Sequence, residues 1–135
     1  MAAPKILLVD DEGLMLALYK AHVERAGYQL LTAKSGEEGI DLAARELPEL
    51  IVMDVIMTGM SGLAALRELK TSEVTKAIPV IIITAAAGHT ASKKEAEMGG
   101  AIRFLTKPIS PSQLLAEIGQ VVPLPSQSKP SQTGK

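Results

Sequence analysis

Four short apolar runs in this chain stop on residues that could do chemistry. "KILLV" runs into Asp10, Asp11 and Glu12, "LIVM" into Asp54, "VIII" into Thr84, and "AIRFLT" into Lys107 and Pro108. If the runs are neighbouring strands of a parallel sheet, their polar ends collect in one crevice, because ligands bind such sheets outside the carboxyl ends of the strands. Two carboxylates held there repel by about 3 kcal/mol at about 5 Å and an effective dielectric of about 20. A positive partner is then required. Lys107 supplies one charge, and a cluster of acids with room for water also offers the hard oxygen donors that suit Mg2+. With a cation and a lysine in the crevice, the Asp54 carboxylate can attack phosphorus and form an acyl phosphate. The hydroxyl of Thr84 would donate to the phosphoryl oxygens. Catalysis of this kind consists of positioning and charge neutralisation.

The elements that must hold these residues follow from the pattern between them. "KILLVD", "YQLLTA", "LIVMD", "VIIIT" and "AIRFLT" lack polar alternation, as strands buried on both faces do. Segments with helical spacing separate them. The spacing predicts a first helix from about Glu12 to Ala26, with Met15, Leu18 and Val23 on one face and Gly27 as its stop. Ser35-Gly36-Glu37-Glu38 opens a second helix as a capping box, and that helix should end before Pro48. A third begins near Ser61 with Leu63, Leu66 and Leu69 in register. The fourth, Thr90 to Met98, is short and polar. The fifth opens at Ser110-Pro111-Ser112-Gln113, where serine is an N-cap, proline fits the first turn and glutamine can close the box. Strict alternation of strands and helices implies a doubly wound α/β domain: a (βα)5 three-layer sandwich around a parallel five-stranded sheet. The folded domain is expected over residues 1–122. Residues 123–135, rich in Pro, Ser, Gln and Lys, are expected to be a disordered tail or a linker.

Composition excludes several classes of function. Lys and Arg number 14 against 15 Asp and Glu, and no basic cluster stands out, so the chain carries no electrostatic footprint for nucleic acid or an anionic membrane. The absence of cysteine removes a disulfide framework, thiol catalysis and cysteine-ligated zinc. The apolar stretch from Ile6 to Val9 is stopped by acids too early to be an export signal. "IPVIIITAAAG" falls far short of the roughly 20 apolar residues of a spanning helix. A cytoplasmic protein is expected. His22 and His89 stand alone without ligand spacing and read as surface or helix-cap residues. Lys93 and Lys94 read as a solvated helix face.

"LLVDDE", "LIVMDVIMTGMSG", "VIIITA" and "FLTKPI" resemble, in order and spacing, the motifs of the receiver domains of two-component response regulators, over residues 5 to about 121. The resemblance implies the flavodoxin-like strand order 2-1-3-4-5. It makes Asp54 the phosphoacceptor, Asp11 a direct Mg2+ ligand, Asp10 a ligand through water, and the backbone carbonyl of Ile56 a further ligand. Lys107 becomes the phosphoryl-contacting cation, with Pro108 after a cis peptide bond. Thr84 and Phe104 take the switch positions, the hydroxyl moving toward a new phosphoryl group and the ring filling the space it leaves. Charge at Asp54 would thereby reach the face formed by the fourth helix, fifth strand and fifth helix. The implied partners are a sensor histidine kinase or a histidine phosphotransfer protein upstream, and a protein target downstream.

The chain departs from the family pattern at three places. Thr58 stands where family members usually carry proline, which frees a φ angle but deletes no polar group. Ile56 and Ala86 stand where polar residues are common, two positions after the phosphoacceptor and two after Thr84. Neither can orient an attacking water, so the acyl phosphate is expected to be lost slowly; rapid spontaneous loss from purified, phosphorylated protein in Mg2+ would rule this out. A Mg2+-dependent phosphohydrolase with an Asp54 nucleophile is a competing reading, weakened because that family's second acid is replaced by Ile56. A phosphorylation-independent interaction module is another, weakened by retention of the site residues. The tail is too short for a DNA-binding unit and no helix-turn-helix pattern is visible. Output is therefore expected through protein contacts, or through the rest of a longer regulator or hybrid kinase. The expected role is a signalling switch rather than an enzyme, catalysing only its own phosphorylation and dephosphorylation.

Overall fold

A strand that is apolar at every position must be covered on both faces, because successive side chains point to opposite sides. The computed structural model describes residues 3–85 and 89–124, with backbone alone over 89–92. It contains β1 (Lys5–Val9), α1 (Gly13–Ala26), β2 (Gln29–Ala33), α2 (Gly36–Glu46), β3 (Leu50–Asp54), α3 (Gly62–Thr71), β4 (Val80–Thr84), α4 (His89–Met98), β5 (Arg103–Thr106) and α5 (Pro111–Val121). The strands form one parallel sheet in the order β2-β1-β3-β4-β5. This is the flavodoxin-like order, with β1 and β3 at its centre.

The apolar runs divide between two cores. Ile6, Leu8, Val52 and Ile81 pack with residues of α1 and α5. Leu7, Val9, Met53 and Ile82 face the other way and pack with residues of α2, α3 and α4. Each fully buried aliphatic side chain contributes about 2 kcal/mol relative to exposure, so two facing cores explain why β1, β3 and β4 carry almost no polar residue before their last position. The result is a three-layer sandwich: α1 and α5, the sheet, then α2, α3 and α4.

Helix starts follow the capping signals. Ser110 accepts from the backbone N–H of Gln113 at 3.1 Å while the Gln113 side chain accepts from the N–H of Ser110 at 2.9 Å, a complete capping box for α5. Ser61 caps α3 by accepting from Ala64. Ser35 caps α2 through Glu38, but the Glu38 carboxylate accepts from the N–H of Lys34 instead of returning to Ser35. Leu47, in a left-handed conformation, ends α2 just before Pro48.

Two expectations need correction. The buried stripe of α1 runs through Leu16, Tyr19 and Val23, with Met15 only partly buried and Leu18 exposed. Tyr19 takes the place given to Leu18 because its ring fills the core while its hydroxyl donates to the carbonyl of Ile109 at 2.7 Å. The folded domain also continues past Val122: Leu124 is buried and packs in the α1/α5 core, and the hydroxyl of Tyr28 donates to the carbonyl of Val122. The rest of the expected tail, residues 125–135, lies outside the described residues, as do Ala86 and the side chain of His89.

Candidate functional site

Parallel strands send all their carboxyl ends to one edge, and the polar residues that close the apolar runs meet there. Asp10 follows β1, Asp54 is the last residue of β3, and Lys107 follows β5. Asp10 and Asp54 are only 3% and 6% exposed, so their carboxylates need partners. Lys107 serves both. Its ammonium donates to Oδ2 of Asp54 at 2.8 Å and to Oδ2 of Asp10 at 3.2 Å, with Glu12 further away at 4.0 Å. The chain brings this lysine into place through a backbone bond from its N–H to the carbonyl of Thr84 at 2.7 Å, and the Lys107–Pro108 peptide bond is cis.

The remaining carboxylate oxygens are held locally. Oδ1 of Asp10 accepts from the N–H of Glu12 at 3.0 Å, which shapes the turn into α1. Oδ1 of Asp54 accepts from the N–H of Ile56 at a longer 3.3 Å. Asp11 is tied to the loop after β3 instead of to Lys107, its Oδ2 accepting from both the N–H and the hydroxyl of Thr58.

Burial pushes the Asp54 carboxyl above the usual carboxylate range, and the charge of Asp10 adds to this, against the opposing hydrogen bond and charge of Lys107. Burial acts to lower Lys107, but the hydrogen bonds and charges of Asp54 and Asp10 outweigh it and hold the ammonium above its ordinary value. The lysine therefore keeps its proton at neutral pH and remains a fixed cation between two acids.

An open cleft of about 510 Å³ lies over these groups, lined by Asp11, Glu12, Asp54, Ile56, Met57, Thr58, Ala85 and Lys107. Asp10 sits beneath it, joined through Lys107. Among the described residues no three acidic or histidine side chains converge as a ready-made ion cage. The donor chemistry nonetheless fits Mg2+, which keeps several waters and needs only one or two carboxylates from the protein. Asp11, Asp54 and Ile56 border one water-accessible space.

Thr84 and Phe104 lie off the cleft. Thr84 is buried at the end of β4. Ile82 is in register with Phe104 and Thr84 with Thr106, so Thr84 and Phe104 fall on the same face of the sheet, the side covered by α3 and α4. Lys93 and Lys94 are exposed on α4, and His22 is half-buried, with Nδ1 3.2 Å from the carbonyl oxygen of Leu18. One contributor escaped sequence reasoning. Thr58 reads as a missing proline, yet the same substitution restores a backbone donor and adds a hydroxyl at the rim of an acidic cleft, a signal available from residue type alone.

Comparison with known proteins places this arrangement among others. Residues 6–119 match the family described as "Response regulator receiver domain". Protein PilH of Pseudomonas aeruginosa is 38% identical over 118 residues, which make up 87% of this chain and 97% of PilH. Response regulator PleD of Caulobacter vibrioides is 39% identical over 114 residues, 84% of this chain but 25% of PleD. The chain thus spans nearly the whole of one relative and a quarter of another. Among solved structures, chemotaxis protein CheY4 of Vibrio cholerae superposes with a TM-score of 0.82 at 28% identity, covering 90% of this chain and all of that one. A response regulator receiver domain protein from Clostridium thermocellum gives 0.80 at 31% identity, over 88% of this chain and 94% of that one.

Proposed function

Because the chain belongs to the receiver-domain family of two-component response regulators, we propose that it is a phosphoacceptor switch whose acceptor is Asp54. The observation that carries this reading is the buried Asp54 carboxylate held 2.8 Å from a lysine ammonium at the floor of an open cleft. A carboxylate oxygen of Asp54 attacks the phosphorus of a phosphohistidine on a sensor histidine kinase or a histidine phosphotransfer protein. A P–O bond forms and the P–N bond breaks. The products are an acyl phosphate on Asp54 and a free imidazole, which leaves with its proton.

Lys107 has two tasks in this scheme. Before transfer its single ammonium is shared by Asp54 and Asp10, which offsets part of the cost of burying two acids side by side. After transfer its protonated ammonium is placed for a phosphoryl oxygen, a charge-assisted contact in a partly dry site. Asp11, Asp54 and the carbonyl of Ile56 would hold Mg2+ directly, and Asp10 through water. When bound, the ion supplies the remaining positive charge for the phosphoryl oxygens.

Signalling follows from the same face of the sheet. The Thr84 hydroxyl turns toward the phosphoryl group, and the ring of Phe104 moves inward on the side covered by α4. That shifts the α4/β5/α5 surface, where a downstream protein target would read the change. Met98, the last residue of α4, and Ile102, just before β5, are large apolar residues left exposed.

The test is an amide-shift experiment on the whole chain with Mg2+ and beryllofluoride as phosphoryl mimic, for the wild type and Asp54→Asn. Shifts spreading from residue 54 to α4, β5 and α5 in the wild type alone are expected. A wild type that gives no Asp54-dependent response refutes the phosphoacceptor reading.

A further inference from the structure

Thr58 occupies the loop after β3, and its backbone N–H and hydroxyl both donate to Oδ2 of Asp11, at 2.9 and 3.2 Å, across 47 residues of sequence. A proline at this position could make neither bond, since it has no N–H and no hydroxyl. The two donors occupy the lone pairs of Oδ2, while Oδ1 takes no hydrogen bond from the described residues. The two tied residues line the same cleft as Asp54 and Ile56.

Taking the cleft as a cation site, as in the function proposed above, we propose that Thr58 is a positioning residue for that site. It holds Asp11 by one oxygen so that the other is left for a hard divalent cation. It also ties the turn after β1 to the loop that carries the Ile56 carbonyl, so two donors from separate strands are fixed relative to each other before the ion arrives. Mg2+ accepts little distortion of its octahedral shell, so donors already in place bind it better than donors that must first be ordered. Ordering one free carboxylate side chain is worth about threefold to tenfold in affinity.

The alternative for the same contact is competition, in which Thr58 occupies the carboxylate and keeps the ion away. The two ideas differ in sign. Competition predicts that removing the donors tightens Mg2+ binding; positioning predicts that it weakens binding.

The experiment is a Mg2+ titration of the full chain followed by amide shifts, for the wild type, Thr58→Val, Thr58→Pro and Thr58→Ser, with melting curves in chelator as a control. Thr58 is exposed, so the valine variant, which keeps the shape and the N–H, should melt like the wild type. We expect a dissociation constant about threefold weaker for Thr58→Val and about tenfold weaker for Thr58→Pro, with Thr58→Ser restored to wild-type affinity. Valine and proline variants that bind as tightly as the wild type, or more tightly, overturn this inference alone. So does a valine defect that serine does not rescue. A wild type without Mg2+-dependent shifts at Asp10, Asp11 and Asp54 overturns the cation reading and this inference with it.

Discussion

Gly62 is where α3 meets the end of β3, and replacing it with alanine should be among the most damaging small changes in the chain. A methyl group on its Cα would overlap the carbonyl oxygen of Asp54 and lie 2.8 Å from the Asp54 carbonyl carbon and 3.0 Å from Cα of Val55. All three are backbone atoms of the segment that carries the candidate phosphoacceptor, so none can rotate aside. Relief requires the start of α3 to move away from β3, which stretches the 2.8 Å bond from the N–H of Gly62 to the carbonyl of Val55. Losing that bond costs about 1 kcal/mol, and overpacking against backbone about 1–3 kcal/mol more. Alanine's better helix propensity returns less than about 1 kcal/mol. The net expectation is a loss of about 3 kcal/mol from a total stability of about 5–15 kcal/mol. Gly59 supplies the comparison. Its φ of 84° is unfavourable for an L residue, but nothing lies within 4 Å of an added Cβ, so Gly59→Ala should cost only about 1–2 kcal/mol through backbone strain. Urea unfolding followed by far-ultraviolet circular dichroism measures both, which suits a chain with no tryptophan. A Gly62→Ala variant that loses less stability than Gly59→Ala would refute the claim that close approach, not conformational freedom, places glycine at 62.

Two further predictions concern the ties around α1. Tyr19 is buried and its hydroxyl donates to the carbonyl of Ile109 at 2.7 Å, so Tyr19→Phe strands that acceptor and should cost about 1–2 kcal/mol in urea unfolding; a loss below about 0.5 kcal/mol would show that the bond contributes little. Glu24 accepts from the N–H of Leu30 and from Lys20, both at 3.0 Å, and these contacts, the backbone bond first, hold its carboxyl below its ordinary value of 4.5. A lowered carboxylate stabilises the fold above its unfolded value and loses that contribution as pH falls through its folded value. With 38% of its side chain exposed, solvent screening limits the loss in Glu24→Gln to about 1 kcal/mol at neutral pH. The gap between variant and wild type should close as pH falls below the ordinary value of 4.5 and the carboxylate takes up its proton, and a gap that stays constant as the solution is acidified would remove the ionised carboxylate as its cause.

The sheet was legible because its central strands are covered on both faces, which writes each as an unbroken apolar run: β1, β3 and β4 are buried almost throughout, whereas the edge strand β5 reads as half-exposed. The crevice was legible for a topological reason. Parallel strands end at one edge, so any polar residue closing a run must arrive there, and Asp10 and Asp54 both accept hydrogen bonds from Lys107 as a consequence. Local composition says less where one residue serves two purposes or where partners are remote. Leu18 and Tyr19 are adjacent on α1, and the aromatic one is buried only because its hydroxyl finds a carbonyl 90 residues away. Leu124 sits in a stretch whose Pro and Ser content argues for a linker, and a single apolar residue there carries no period that would mark it as core. Thr58 illustrates the same limit at the cleft. The substitution looks like a loosened loop while the loop is considered alone, and becomes a tether once the turn after β1 lies within hydrogen-bond reach. Residue types at strand ends thus announce where chemistry collects, while the distances that decide how a carboxylate is held depend on which loops the sheet order makes neighbours. In this sheet β1 and β3 are adjacent, and that adjacency sets Asp11 against Thr58.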